Sequence, residues 1–199
     1  MAIIRTYSEA ADRNKVPIGN AIESYLKDYK SVLEIASGTL QHACYFAARF
    51  SHLDWTPSDM DDVIVSRFEH LEQKSKNINK PLVLDALSDN WPTLHVDALI
   101  CINMIHIAPW EASLGLMRNG VNCLKKGGVL ITYGPYFGIA SEEAPSNIAF
   151  DQSLRTRNFN WGIRDLSAVI GAASITGLEH EATIAMPANN HVLVFRLVD

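Results

Sequence analysis

The segment Val32-Leu33-Glu34-Ile35-Ala36-Ser37-Gly38-Thr39-Leu40-Gln41-His42 constrains the fold more than any other part of the chain. Val32 to Ile35 has the apolar run of a buried strand, broken by one acid, Glu34. Three small residues follow, Ala36, Ser37 and Gly38, and then a stretch that reads as a helix from about Gln41 to Phe50. A strand that turns sharply through small residues into a helix brings backbone close to a ligand at the carboxyl edge of an α/β sheet. The acid at the strand end argues against a ligand led by phosphate and for one that carries hydroxyls or a positive charge. Leu40 stands where a further small residue is expected. The dinucleotide pattern G-x-G-x-x-G is therefore absent, as is a G-x-S-x-G nucleophile elbow.

The rest of the chain alternates strand and helix, which predicts a parallel sheet with helices on both faces. Residues Ser8 to Asn14 suit a short helix, and Pro17 suits the first turn of a second one running to about Tyr29. Further strands are expected at Val32–Ala36, at Leu53–Thr56 (ended by Pro57), at Leu82–Leu84 and at Val96–Ile102. Asp59 to about Lys74 reads as a helix with Ser58 as its N-cap. A helix opening at Pro109-Trp110 should end at Gly127-Gly128, followed by a strand at Val129–Tyr133. Gly134 to Pro145 reads as a long loop or lid. Helices near Asn147–Arg155 and Leu166–Thr176 come next, then strands Leu178–Met186 and His191–Leu197 around the turn Pro187-Ala188-Asn189-Asn190. A closing hairpin on a parallel sheet is unusual for a dinucleotide-binding fold.

At 199 residues one domain with a full core is expected. We divide it into an N-terminal helical cap, 1–30, and a core, 31–199. The net charge of −5 disfavours a dedicated nucleic-acid binder. Cys44, Cys101 and Cys123 are odd in number and sit among apolar residues, as reduced core thiols do, so a cytoplasmic location is expected. Met1 to Tyr7 has no secretion signal, and no apolar run is long enough to cross a bilayer. Cys101 and His106 are too few ligands for a zinc site, so no metal is expected.

The motifs, taken in order, resemble the class I S-adenosylmethionine (SAM)-dependent methyltransferases. They are Val32 to Gly38, Pro57-Ser58-Asp59, Leu84-Asp85 and Asp97 to Asn103. More narrowly, five segments resemble the DUF938 / methyltransferase-like protein 26 group: Ala11 to Ile18, Ser37 to Ala43, Cys101 to His106, Ile131 to Tyr136 and Met186 to Asn190. The resemblance implies a Rossmann-like class I methyltransferase fold: a seven-stranded, mostly parallel sheet with a C-terminal antiparallel hairpin and helices on both faces. It implies SAM as cofactor, with S-adenosylhomocysteine as product. It supplies no acceptor.

SAM carries an adenine, a ribose diol, a sulfonium and an amino-acid end. Backbone from Ala36 through Ser37 and Gly38 to Thr39 can approach the ribose and the amino-acid end. Glu34 matches the acid that orders this loop in the family; it also reads as an acid capping nearby amides. Asp59 suits the ribose hydroxyls, with Asp61 and Asp62 as rivals, and it also suits a helix first turn. Asp85 matches the position that takes the adenine amino group, or is a solvated strand end. Leu40 either turns its side chain away and leaves binding intact, or narrows the site; in the second case Leu40→Gly should restore binding.

On the acceptor side, methyl transfer is an in-line displacement in which alignment supplies much of the acceleration. Asn103 and His106 follow the fourth strand, where the family faces the methyl group, and His106 is the expected general base. It equally reads as a buried histidine bonded to backbone. Tyr133 and Tyr136, with Phe137, are candidates for an acceptor wall, or for core. Arg155 and Arg164 lie in a segment suited to an anionic group on the acceptor, or to a solvated loop. Arg13 and Asn14 precede the first strand, where the family folds a helix over its site. The leading expectation is methyl transfer to a small molecule, with no nucleic acid or membrane partner and with room for a homo-oligomer. The alternative is a catalytically inactive SAM-binding or scaffold protein of the same fold.

Overall fold

In a computed structural model, residues 7–71, 74–139 and 143–198 are described. They form α1 (Glu9–Leu26), β1 (Ser31–Ile35), α2 (Gln41–Arg49), β2 (Asp54–Asp59), α3 (Val63–Glu69), β3 (Leu82–Val83), β4 (Val96–Ile102) and α4 (Trp110–Cys123). These are followed by β5 (Leu124–Gly134), β6 (Tyr136–Phe137), α5 (Pro145–Arg157), β7 (Arg164–Asp165), α6 (Leu166–Ile175), β8 (Leu178–Met186) and β9 (Asn190–Leu197). Seven strands pair in the order β3-β2-β1-β4-β5-β9-β8. The first five are parallel, and β9 runs antiparallel to both β5 and β8. The seven-stranded sheet with its closing hairpin is the one expected.

The central strands are apolar on both faces because both are covered. Val32, Ile100 and Ile131 face a core shared with Ile18, Ile22 and Leu26 of α1 and Phe46 of α2. Leu33, Leu99 and Leu130 face a second core with Leu116 of α4 and Val169 of α6. Strand order reverses at β1/β4, so connections leave to opposite sides and open a crevice at the carboxyl edge there.

Several boundaries differ from the sequence expectation. α1 is one helix that runs through Pro17, with Ser8 as its N-cap; the Ser8 hydroxyl accepts from the Ala11 amide at 3.2 Å. An internal proline costs a helix about 3 kcal/mol, but the buried residues Ile18, Ile22 and Leu26 all lie beyond it and hold the second half in register. β2 continues through Pro57 to Asp59. Trp55 makes its backbone bonds outward, to Asn77 and Asn79. Pro57, two residues on, turns its missing N–H to the same side, before β3 starts. Ser58 is therefore a buried strand residue that donates its hydroxyl to the Glu34 carbonyl at 2.8 Å, and it caps no helix. Asp59 and Asp61 accept from the amides of Asp61 and Val63, and these local turns delay α3 to Val63.

β5 starts at Leu124, before Gly127-Gly128 rather than after it. The pair sits in a register shift against β4, with Gly127 at φ 74°. A side chain on Gly128 would come within 2.8 Å of the Asp97 carbonyl. The glycines thus make a bulge, not a helix cap. In the expected lid, Tyr136-Phe137 pairs with Arg164-Asp165, while 140–142 lie outside the described residues. No helix among the described residues is long and apolar enough to cross a membrane.

Candidate functional site

The turn after β1 is built from alternate left-handed residues: Ala36 at φ 58°, Gly38 at 52° and Leu40 at 65°. It is held from the β2 side. The Ser37 amide donates to the Ser58 carbonyl at 2.8 Å, and the Gly38 amide donates to Asp59 Oδ2 at 2.8 Å. Arg67 Nη1 of α3 donates to the Gly38 carbonyl at 2.6 Å. The two peptides that flank the Gly38 Cα are thus clamped, one by a carboxylate and the other by a guanidinium. Leu40 points its side chain into the first core, where it is fully buried, and is not part of any cleft wall.

Above this turn lies a cleft of about 660 Å³ at the carboxyl ends of β1 to β4. Ala36, Ser37, Gly38, Thr39, Asp59, Asp85 and Asn103, all expected on sequence grounds, line it together. Asp59 ends β2, and Asp85 follows β3, so two carboxylates stand at successive strand ends. Around them stand apolar side chains: Met60, Ala86, Leu87, Met104, Ile107 and Ala112. Asn103 holds φ 61°, and its amide donates to the Tyr133 carbonyl at 2.9 Å. Arg67 and His42 also line the cleft. Sequence reasoning missed both. The signal for His42 was its place in the first turn of the helix behind the small residues; Arg67 carried none beyond lying on the helix after Asp59.

Glu34 lies beneath the cleft rather than in its wall. It is buried, and its Oε2 accepts from Trp55 Nε1 at 2.7 Å. Burial raises its pKa to about 7 against the lowering effect of hydrogen bonds from Trp55 and Ser37, and the nearby Asp59 charge adds to the rise. It joins β1 to β2 directly under the turn.

The acceptor-side candidates are placed differently. His106 is buried behind the wall, between Met104 and Ile107, which line the cleft. Its ring meets Phe150 edge-on at 5.6 Å, and its carbonyl accepts from the Gly162 amide at 3.0 Å. Burial, helped by Arg164 and Arg157, lowers its pKa to about 4. Tyr133 is buried beside Asn14, its pKa raised by burial. Tyr136 is buried and shares a 2.8 Å hydrogen bond with Thr132, and burial raises its pKa too.

Asn14 Oδ1 meets His42 Nε2 at 2.7 Å. Arg13 is exposed and pairs with Glu9 at 3.6 Å. Arg155 pairs with Asp151 at 2.7 Å on α5. Arg164 donates to the carbonyls of Ile105, Ala108 and Asn160, so it braces the chain after β4. Arg13, Asn14, Tyr133, Tyr136, Arg155 and Arg164 do not line the cleft. Internal partners already engage these side chains, and sequence spacing does not reveal partners supplied by other elements.

Residues 5–197 match the family model described as "Protein of unknown function (DUF938)". Among solved structures, human N-acetylserotonin methyltransferase in complex with SAM superposes with a TM-score of 0.82 at 14% identity, covering 96% of this chain and 53% of that one. An O-methyltransferase family protein from Burkholderia thailandensis gives 0.79 at 12% identity, covering 96% and 59%. An O-methyltransferase family 2 protein from Planctomyces limnophilus, in complex with apigenin, gives 0.74 at 13%, covering 99% and 63%. The chain has the fold of these methyltransferases and spans less than two thirds of the length of each.

Proposed function

The chain belongs to the DUF938 family, and we propose that it binds SAM in the cleft above Ala36–Thr39 and transfers its methyl group to a small-molecule acceptor. The observation that carries the reading is the pair of carboxylates, Asp59 and Asp85, at successive strand ends of a largely apolar cleft lined by a small-residue turn. The chemistry fits each part of the ligand. Asp59 accepts from a ribose diol, and Asp85 accepts from an adenine amino group. Met60, Ala86 and Leu87 offer apolar contact to a purine. The absence of cationic side chains from the wall apart from Arg67, among the described residues, suits a sulfonium. The named complex of a neighbouring structure with SAM supports the same ligand.

Bound SAM supplies an activated methyl group; the chain's residues supply alignment and a path for a proton. Asn103, held left-handed at the end of β4, orients the acceptor at the cleft. We assign removal of the acceptor's proton to His106, which is neutral at pH 7 and keeps a nitrogen lone pair; because it lies behind Met104 and Ile107, this step requires that part of the wall to open. On this reading the protein works in the cytoplasm, with α1 as a helical cap packed on the core.

Calorimetry tests the cofactor first. Titration with S-adenosylhomocysteine should give saturable heat below millimolar ligand; no heat and no thermal shift at millimolar ligand would overturn the assignment. Incubation with methyl-labelled SAM and a metabolite extract then tests transfer. The second reading is a binding or scaffold protein, and the observation favouring it is that His106 sits behind the wall rather than in it. Binding with no labelled product decides for that reading.

A further inference from the structure

With the adenosine placed by Asp59 and Asp85, strand order decides where the rest of the ligand lies. β3 and β2 stand at one side of β1, and β4 stands at the other. The ligand's amino-acid end would therefore extend away from Asp59, past Thr39, towards Ser8 and Ala11 of α1 and His42 of α2, all of which line the same cleft. Resting on the SAM reading, we propose that His42 accepts a hydrogen bond from the α-ammonium group of this amino-acid end through Nδ1.

Three observations support the assignment. First, the ring is oriented. Its Nε2 lies 2.7 Å from Asn14 Oδ1, and an amide oxygen only accepts, so Nε2 carries the hydrogen and the Nδ1 lone pair is left over. Nδ1 has no partner among the described residues. Second, the ring is braced. It stacks on Phe46 with centroids 5.7 Å apart, one turn along α2. Asn14 is in turn held against the Tyr133 hydroxyl of β5. Third, the ring is uncharged at neutral pH. Burial lowers its pKa to about 4, and Lys15 on α1 adds to the lowering. A neutral imidazole can accept from a cation; an imidazolium would repel it. Around this end stand Lys15 and Arg13 from α1 and Tyr133 from β5, with Asp59 further along the wall. The carboxylates at this end of α1, Glu9 and Asp12, are engaged by Arg13 and Lys15 and do not line the cleft, whereas His42 does.

The arrangement also gives Asn14 a role. Sequence reading offered it as a direct contact; the structure makes it a positioning residue that fixes the tautomer of His42.

Calorimetry with three ligands tests this: S-adenosylhomocysteine, its analogue lacking only the amino group, and 5′-methylthioadenosine, which lacks the whole amino-acid end. His42→Phe preserves the aromatic stack. It should weaken S-adenosylhomocysteine about 10- to 100-fold, the range of one hydrogen bond to a charged group, and change the other two less than about twofold. Equal weakening of all three, or no weakening of S-adenosylhomocysteine, overturns the proposal while leaving the SAM reading in place. A wild-type protein that binds none of the three overturns both.

Asn14→Asp supplies an independent arm that keeps His42. A carboxylate beside Nε2 raises the imidazole pKa. The acid-side loss of S-adenosylhomocysteine affinity, expected near pH 4 to 5 in the wild type, should move towards neutrality. An unmoved profile overturns the proposal.

Discussion

Leu40 shows how backbone decides between two readings that pattern leaves open. Family resemblance marks the position as one for glycine, and a leucine there looks like bulk beside the cofactor. The structure gives the reason for glycine: φ is 65°, in the left-handed region. The same backbone that strains Leu40 also aims its side chain into the first core, away from the cleft. The strain costs about 1–2 kcal/mol, whereas emptying a buried leucine site costs about 2–5 kcal/mol. Leu40→Gly should therefore lose about 0–4 kcal/mol in urea unfolding and leave S-adenosylhomocysteine affinity unchanged within about threefold. A more stable variant, or one that binds markedly better, would show that the side chain does narrow the site. Of the two alternatives for Leu40, the geometry is that of the first, in which the side chain turns away from the cleft. Asp59 and Asp85 were legible because strand ends are legible, and a polar residue at the end of an apolar strand already points to the ligand edge. Arg67 was not, because its importance comes from the one carbonyl it meets.

Among the elements, α4 sets one wall of the cleft through a backbone contact. A Cβ on Gly115 would sit 1.9 Å from the Ala86 carbonyl oxygen, so this helix packs directly on the chain after β3. Gly115→Ala must displace either α4 or the segment Asp85–Leu87. We expect a destabilisation of about 2 kcal/mol or more and at least tenfold weaker S-adenosylhomocysteine binding, measured by denaturation and calorimetry on the same preparation. A variant of native stability and affinity would mean that Ala86 takes no part in the site. Element identities were mostly readable. β4 and β8 have the limits expected, and α2 and α6 differ by a residue at one end. Three of the differing boundaries share one cause: Pro17, Pro57 and Gly127-Gly128 read as element boundaries, and each is tolerated where a neighbouring element removes the penalty. Pro57 needs no donor on its outer side, and Gly128 allows β5 to pass close to Asp97.

At the scale of the molecule, burial of titratable groups on the two sides of the sheet sets the pH dependence of stability. The pKa of Glu34 is raised from 4.5 to about 7, so the folded chain keeps a proton that the unfolded chain has released. Its contribution is present below pH 4.5 and is lost as pH rises through 7. His42 and His106 act oppositely. Their pKa values fall to about 4, so their contribution is present above about pH 6.5 and is lost as pH falls towards 4. Glu34→Gln isolates the first effect. Relative to this variant, the wild type should lose about 3 kcal/mol at most between pH 5 and pH 8 in urea unfolding, and a constant difference would mean that Glu34 is ionised throughout.

The sequence by itself determined the alternation of strands and helices, the small-residue turn after the first strand, the closing hairpin and the two carboxylates at strand ends. These are local consequences of apolar periodicity and turn chemistry, which a short window contains. Only the tertiary structure decided which charged and aromatic side chains reach the cleft. Glu34 went beneath it to Trp55, Arg164 went to the backbone after β4, His106 went behind the wall, and His42 and Arg67 came into it. Each of these outcomes depends on a partner far away in sequence, and the energy of a polar group is fixed by the partner it finds when buried.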